Sequence, residues 1–178
     1  MEYWNEPKSR FVFERPTNNV EIYKFHDVYG DYDMFYFASC GASFDSIGEG
    51  RNLYELCFGL PEDLGGATDE EVSVLMMNII EHSYREGVRF APHILLPPVE
   101  FAPRCWKANS LLTDHPRWAQ QYTIQSYDEQ IEILQLIAIN PQEFASAARE
   151  GLINLHRVLQ SVDVSVLYNP NRDPTVQT

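Results

Sequence analysis

The chain has 178 residues, 44% of them apolar, enough for one domain that buries roughly 70% of the surface its unfolded form would expose, so its core requires neither disulfides nor a structural metal. Its 13 basic and 26 acidic side chains give a net charge of −13, a field that repels nucleic acid and anionic membranes and speeds encounter with basic partners, although acidity also serves plain solubility. The excess is uneven: residues 1–90 hold 7 basic and 17 acidic side chains, residues 91–178 hold 6 and 9. Three cysteines, Cys40, Cys57 and Cys105, are an odd number without a CxxC pair and fit free thiols in a reducing cytoplasm. No apolar run of membrane-spanning length occurs and the opening MEYWNEPKSR has no signal core, so a cytoplasmic chain is expected.

Residues 1–19, with Phe11–Phe13 before Pro16 and Thr17-Asn18-Asn19, read as an irregular or short-strand lead-in followed by a turn. Val20 to Phe25 reads as a strand, and the following HDVYGDYD, with Asp27, Asp31 and Asp33 around Gly30, as a loop. MFYFASCG and LYELCFGLP (residues 34–41 and 53–61) are aromatic and apolar runs separated by turn formers and acids, which predicts two neighbouring strands with a long acidic connection. Thr68 with Glu71 matches a capping box, Asp69, Glu70 and Glu71 sit at the positive end of the dipole, and Gly87 follows Arg85. Both ends of a helix are thereby marked. Its stripe of Val72, Leu75, Met76, Ile79, Ile80 and Ser83 is spaced for burial.

Residues 88–118 alternate short apolar runs with proline, so Ile94–Leu96 and Leu111–Leu112 are expected as short or edge strands. Trp106 and Trp118, near Arg104, Lys107 and Arg117, form a basic aromatic patch that reads first as cover for the core edge. Glu132–Ile139 reads as a strand. Asn140-Pro141 with Glu143 then opens a helix running to about Glu150, and a helical stripe continues past Gly151 through Leu152, Leu155, His156 and Leu159. Val162–Tyr168 looks like a last strand, and NPNRDPTVQT like a polar tail that frays. The expected fold class is α+β: a single domain with a central, mostly antiparallel or mixed sheet flanked by two main helical regions, with residues 1–19 as lead-in, 20–168 as the domain and 169–178 as the tail.

Catalytic motifs fail one by one. Gly41-Ala42-Ser43-Phe44-Asp45 begins like a nucleophile elbow but lacks the second glycine and leads to a strand instead of a helix. Cys40 has no neighbouring base or helix N-terminus to activate it. His26, His82, His93, His115 and His156 show no metal-ligand spacing, so a zinc site would have to assemble entirely from long-range contacts, and His82 and His156 read as ordinary surface or boundary residues. Asp27, Asp31 and Asp33 lack the remaining ligands of a calcium loop, and Gly48-Glu49-Gly50 places a carboxylate where a phosphate cradle needs bare amides. The expectation is no catalytic residues, no metal and no cofactor.

The runs FYFASCGASFD and NLYELCFGLPED, the helix VSVLMMNIIEH, APHILLPP, ILQLIAINPQEFASAAREGLINLHRVL and the closing NRDPTV together resemble the suppressor-of-fused domain family in its bacterial, single-domain form, over roughly residues 20–176. Ser39-Cys40-Gly41-Ala42-Ser43, Tyr54-Glu55-Leu56 and Asn140-Pro141-Gln142-Glu143-Phe144 carry the resemblance most specifically, with Cys40 and Ala42 departing from the pattern. The resemblance implies a protein-binding domain: eukaryotic members sequester a transcription factor by gripping an extended peptide, and bacterial ones serve as immunity proteins against toxins. It also implies that Gly41, Ser43 and Glu55 are structural or peptide-contacting, while the second domain of the eukaryotic clamp is absent.

Acidity and resemblance together favour an immunity-type inhibitor of a basic toxin, since a dense carboxylate surface mimics phosphate and gives fast, salt-sensitive binding. The expected partner-binding face is Asp27, Asp31, Asp33, Asp45 and Glu49, with Tyr29 and Tyr32 as aromatic anchors. A peptide-sequestering adaptor that adds a strand to a sheet edge is the alternative, and an enzyme using Cys40 or Ser43 a more distant one.

Overall fold

The computed structural model describes residues 6–16, 18–29, 32–44, 46–47, 50–51, 53–117, 122–126 and 129–175. The elements in chain order are β1 (Ser9–Phe13), β2 (Val20–Tyr29), β3 (Tyr32–Cys40), β4 (Ser46–Ile47), β5 (Gly50–Arg51), β6 (Tyr54–Pro61), α1 (Asp69–Glu86), β7 (Leu95–Leu96), β8 (Ser110–Asp114), β9 (Thr123–Ser126), β10 (Glu129–Ile139), α2 (Pro141–Glu150), α3 (Leu152–Gln160) and α4 (Val164–Leu167). Among the described residues, eight strands form one mixed sheet in the order β1-β2-β3-β6-β10-β8-β7, with β9 paired to the first half of β10. Strand β10 runs parallel to β6 and antiparallel to β8. The α+β expectation holds.

Alternation along the central strands explains why their sequences are apolar on both faces. Leu56, Phe58, Leu60, Leu134, Leu136 and Ala138 point into a core shared with Val72, Leu75, Met76 and Ile80 of α1. Cys57, Ile137 and Ile139 point the other way, into a core with Ala147, Leu155 and Leu159 of α2 and α3. The sheet is thus sandwiched. Gly59 makes room in β6, since a Cβ there would stand 2.9 Å from the Tyr36 ring and 3.1 Å from that of Tyr168.

The marked helix forms as read. Thr68 and Glu71 exchange their capping bonds, and Gly87 closes α1 in the left-handed conformation at φ 66°. Asn140, Pro141 and Glu143 likewise open α2, and Gly151 at φ 91° separates it from α3. Between them α1 and the pair α2–α3 cover the two faces.

Three expectations are overturned. His26–Asp33 is not a loop: β2 continues to Tyr29, β3 begins at Tyr32, and the register Asp27↔Met34 and Val28↔Asp33 makes the segment the end of a hairpin. Its acids mimic loop composition, yet paired strands tolerate them where they face water. Val162–Tyr168 is not a strand. Leu167 N–H donates to Asp163 O at 2.8 Å, and the short α4 delivers Leu167 and Tyr168, both buried, into the second core, where Tyr168 Oη donates to Gln135 Oε1 at 2.7 Å. Packing overrides the strand preference of its β-branched run. Nor do residues 169–175 fray, because Arg172 anchors them in the interior.

No helix among the described residues is long and apolar enough to cross a membrane.

Candidate functional site

The turn after β3 is built around one carboxylate. Glu55 Oε1 accepts from Gly41 N at 2.9 Å, Ser43 N at 2.9 Å and Ser43 Oγ at 2.7 Å. Its Oε2 accepts from Ser39 Oγ at 2.5 Å and Ala42 N at 3.2 Å. Successive amides curled into a concavity bind an anion, and here the protein supplies that anion itself. Gly41 is required at φ 108°, where a Cβ would also lie 2.5 Å from Asn19 O. Gly41, Ser43 and Glu55 are therefore buried structural partners of one another. Ser43 is 1% exposed, so its Oγ, which donates to Glu55, is closed off from a substrate. Cys40 is exposed, but partial burial, then the charges of Glu55 and Glu21, push its thiol above the ordinary value, the wrong direction for activation. Burial raises Cys57 further.

A second buried carboxylate locks the C-terminal segment. Arg172 Nη1 and Nη2 reach the two oxygens of Glu143 at 2.7 and 2.9 Å, and Nη2 also donates to Ala138 O at 2.9 Å. Thr175 N and Oγ1 donate to Glu143 Oε1 at 3.0 and 2.7 Å. Burial alone would raise the Glu143 carboxyl, but the Arg172 bonds and charge, with Thr175, outweigh it and hold the group below its usual value.

Of the residues expected to contact a partner, the structure places Asp27, Tyr32 and Asp33. Asp31, Asp45 and Glu49, and the side chain of Tyr29, lie outside the described residues. Asp27, Tyr32 and Asp33 gather at the end of the β2–β3 hairpin, where Tyr32 and Val28 are each 55% exposed. Phe44 and β4, which flank position 45, follow the opposite end of the nine-residue β3, ~27 Å away. Pairing of Pro61 with Met34 brings exposed Glu62 and Asp63 out of the sheet beside the hairpin end. By register Asp27 shares a face with Met34, and Asp33 with Val28 on the other face, so the end of the hairpin carries acid on both sides.

Asp27 Oδ1 accepts from Val28 N at 2.8 Å and Asp33 Oδ1 stands 3.2 Å from His26 Nε2. Val28 and Glu62 were missed because they fall at the hairpin end only once the register is known. The two sheet edges differ. β7 is two residues long and runs into Pro97-Pro98, whereas β1 offers five residues with Val12 exposed. Trp106 is buried, donating Nε1 to Leu64 O at 2.9 Å, so it covers the core edge; Trp118 lies outside the described residues.

His93 in the turn before β7, Asp114 of β8 and His156 of α3 converge, each offering a donor atom within 4.8 Å of the others. His156 is half-buried, a boundary residue as read, with its Nε2 2.9 Å from Asp114 Oδ2. Nothing local signals this cluster, whose members are 21 and 42 positions apart in the sequence.

No protein-family model matches the chain, and no curated protein matches it by sequence. Solved structures do match its fold. Suppressor of Fused from Drosophila superposes with a TM-score of 0.68 at 15% identity over 89% of this chain, which spans 43% of the Drosophila protein. A homologue of that protein from Neisseria gonorrhoeae gives 0.70 at 13% identity, covering 96% of this chain and 88% of its own. A chain in a Sufu–Fu complex gives 0.64 at 15% identity, covering 88% of this chain and 77% of its own.

Proposed function

We propose that this chain, which has the suppressor-of-fused fold, is a non-catalytic protein-binding domain that captures a basic protein, its physiological role being to neutralise a cognate toxin domain. The observation that carries the reading is the end of the β2–β3 hairpin, where Asp33 shares a face with exposed Val28, Asp27 lies on the other face with exposed Tyr32, and exposed Glu62 and Asp63 leave the neighbouring strand beside them, in a chain of net charge −13. Exposed apolar side chains with carboxylates beside them suit a partner with a cationic surface: the charges steer encounter and the Tyr32 ring supplies contact area to desolvate. A solved neighbour of the same fold is a complex, Sufu with Fu, which supports protein binding as the use of the scaffold.

The test is capture of partners from the host's lysate on the tagged protein, with low-salt and high-salt washes, beside the variant Asp27→Lys/Asp33→Lys/Glu62→Lys. A basic protein held at low salt, released at high salt and missed by the variant is the expected result, and its toxicity in cells lacking this chain would identify the toxin. Retention by the triple variant at high salt would overturn the reading.

A second reading rests on β1. Its outer edge, free of any strand among the described residues, can accept an extended peptide as an added strand, the mode of a sequestering adaptor. Binding would then depend little on salt and would be blocked by Val12→Pro.

A further inference from the structure

We infer that His93, Asp114 and His156 form a binding site for a divalent transition metal of the zinc class, with a coordination position open to solvent. The ligand set is two imidazoles and one carboxylate, the donors of three-ligand zinc sites that keep a fourth position for water or another group. Oxygen-preferring cations such as calcium would find too few partners here. His156 Nε2 lies 2.9 Å and His93 Nδ1 3.6 Å from the two oxygens of Asp114, and the imidazoles meet edge to face with centroids 4.2 Å apart. Ligand atoms around a tetrahedral zinc with bonds of ~2.1 Å stand ~3.4 Å apart, so donors already within 4.8 Å of one another need only a small inward shift.

The supports are built from all three sides. Asp114 closes β8, has a side chain only 9% exposed, and is held by His115 N, which donates to Oδ1 at 2.8 Å. Residue 93 has a positive φ of 63°, uncommon for a side chain with a Cβ; its N–H donates to Thr113 O at 2.7 Å, while Thr113 Oγ1 donates to Ala91 O at 2.6 Å and accepts from Ile94 N at 3.0 Å. Helix α3, which carries His156, is tied toward the same end of β8 by Arg117 Nη1 donating to Leu159 O at 2.9 Å. Such fixed outer partners are what orient metal ligands. With its side chain half exposed, His93 is the ligand on the solvent side, so the open position lies at the surface and the bound ion would pin α3 to the sheet.

The test uses the full chain, tag removed and freed of metal with a chelator. Zinc chloride is titrated by calorimetry and cobalt chloride by visible absorption, on the wild type, His93→Ala, His156→Ala and Cys105→Ser. One-to-one uptake by the wild type and Cys105→Ser is expected, with cobalt bands of a four- or five-coordinate ion, and at least tenfold weaker binding in each histidine variant. His93→Ala, changed at a half-exposed position, keeps the fold, which circular dichroism checks. Absence of saturable uptake by the wild type overturns the inference, as does uptake by both histidine variants equal to the wild type or uptake that vanishes only in Cys105→Ser.

Discussion

The two buried carboxylates solve the same problem in opposite ways. Glu55 is surrounded by neutral donors, three backbone amides and two hydroxyls, all contributed by Ser39–Ser43. Glu143 is matched by a full charge, Arg172, from a segment 29 residues further along. The first arrangement shapes a local turn; the second joins α2 to the end of the chain. The difference teaches that a buried acid is structural in both places, held once by a local turn and once by a distant counter-charge.

Removing one member of the charged pair has the largest expected effect. Glu143→Ala leaves the Arg172 guanidinium buried without its counter-charge and is expected to cost about 3–5 kcal/mol, read as a loss in chemical denaturation; a cost below 1 kcal/mol would break the distinction drawn between the two carboxylates. Glu55→Gln keeps the shape but turns an amide donor toward amide donors, with an expected cost of about 2–3 kcal/mol. Gly41→Ala forces a Cβ against the Asn19 carbonyl at a left-handed φ, for an expected loss of about 1–3 kcal/mol.

Acid sharpens the contrast. Because the Glu143 carboxyl is held below its usual value in the fold, the folded chain resists a proton that the unfolded chain accepts. Its contribution is complete above the unfolded pKa of about 4.3 and is lost as pH falls through the lower, folded value. Denaturation midpoints measured from pH 6 downward are therefore expected to fall less steeply in Glu143→Gln than in the wild type. Equal slopes would mean that the ion pair does not set this dependence. The smallest effect is expected at the hairpin: Tyr32→Ala and Asp33→Lys should change stability by no more than about 0.5 kcal/mol.

Much of the scaffold was legible because its signals are local. Thr68, Glu71 and Gly87 bound α1, Asn140 and Pro141 open α2, and the runs of β3, β6 and β10 announce a sheet. What escaped depends on distant partners. Three aspartates and a glycine resemble a loop until Val28 is seen opposite Asp33, and the polar NPNRDP resembles a fraying tail until Arg172 meets Glu143. Val162–Tyr168 has strand composition, but Tyr168 finds Gln135 and Leu167 finds the core from a helical turn. Of the expected binding residues, Asp27, Tyr32 and Asp33 share the hairpin end, a grouping that composition suggested; Phe44, beside position 45, stands at the far end of β3, because a nine-residue strand intervenes.

The central claim is that the hairpin end binds a basic partner. Its most direct test is the affinity of the captured partner for the wild type and for Asp27→Lys/Asp33→Lys/Glu62→Lys across a salt series. The account predicts a wild-type affinity that falls steadily with salt and a triple variant weakened at least 100-fold at low salt, with its folded stability retained. Equal affinities for the two proteins at every salt concentration would contradict it.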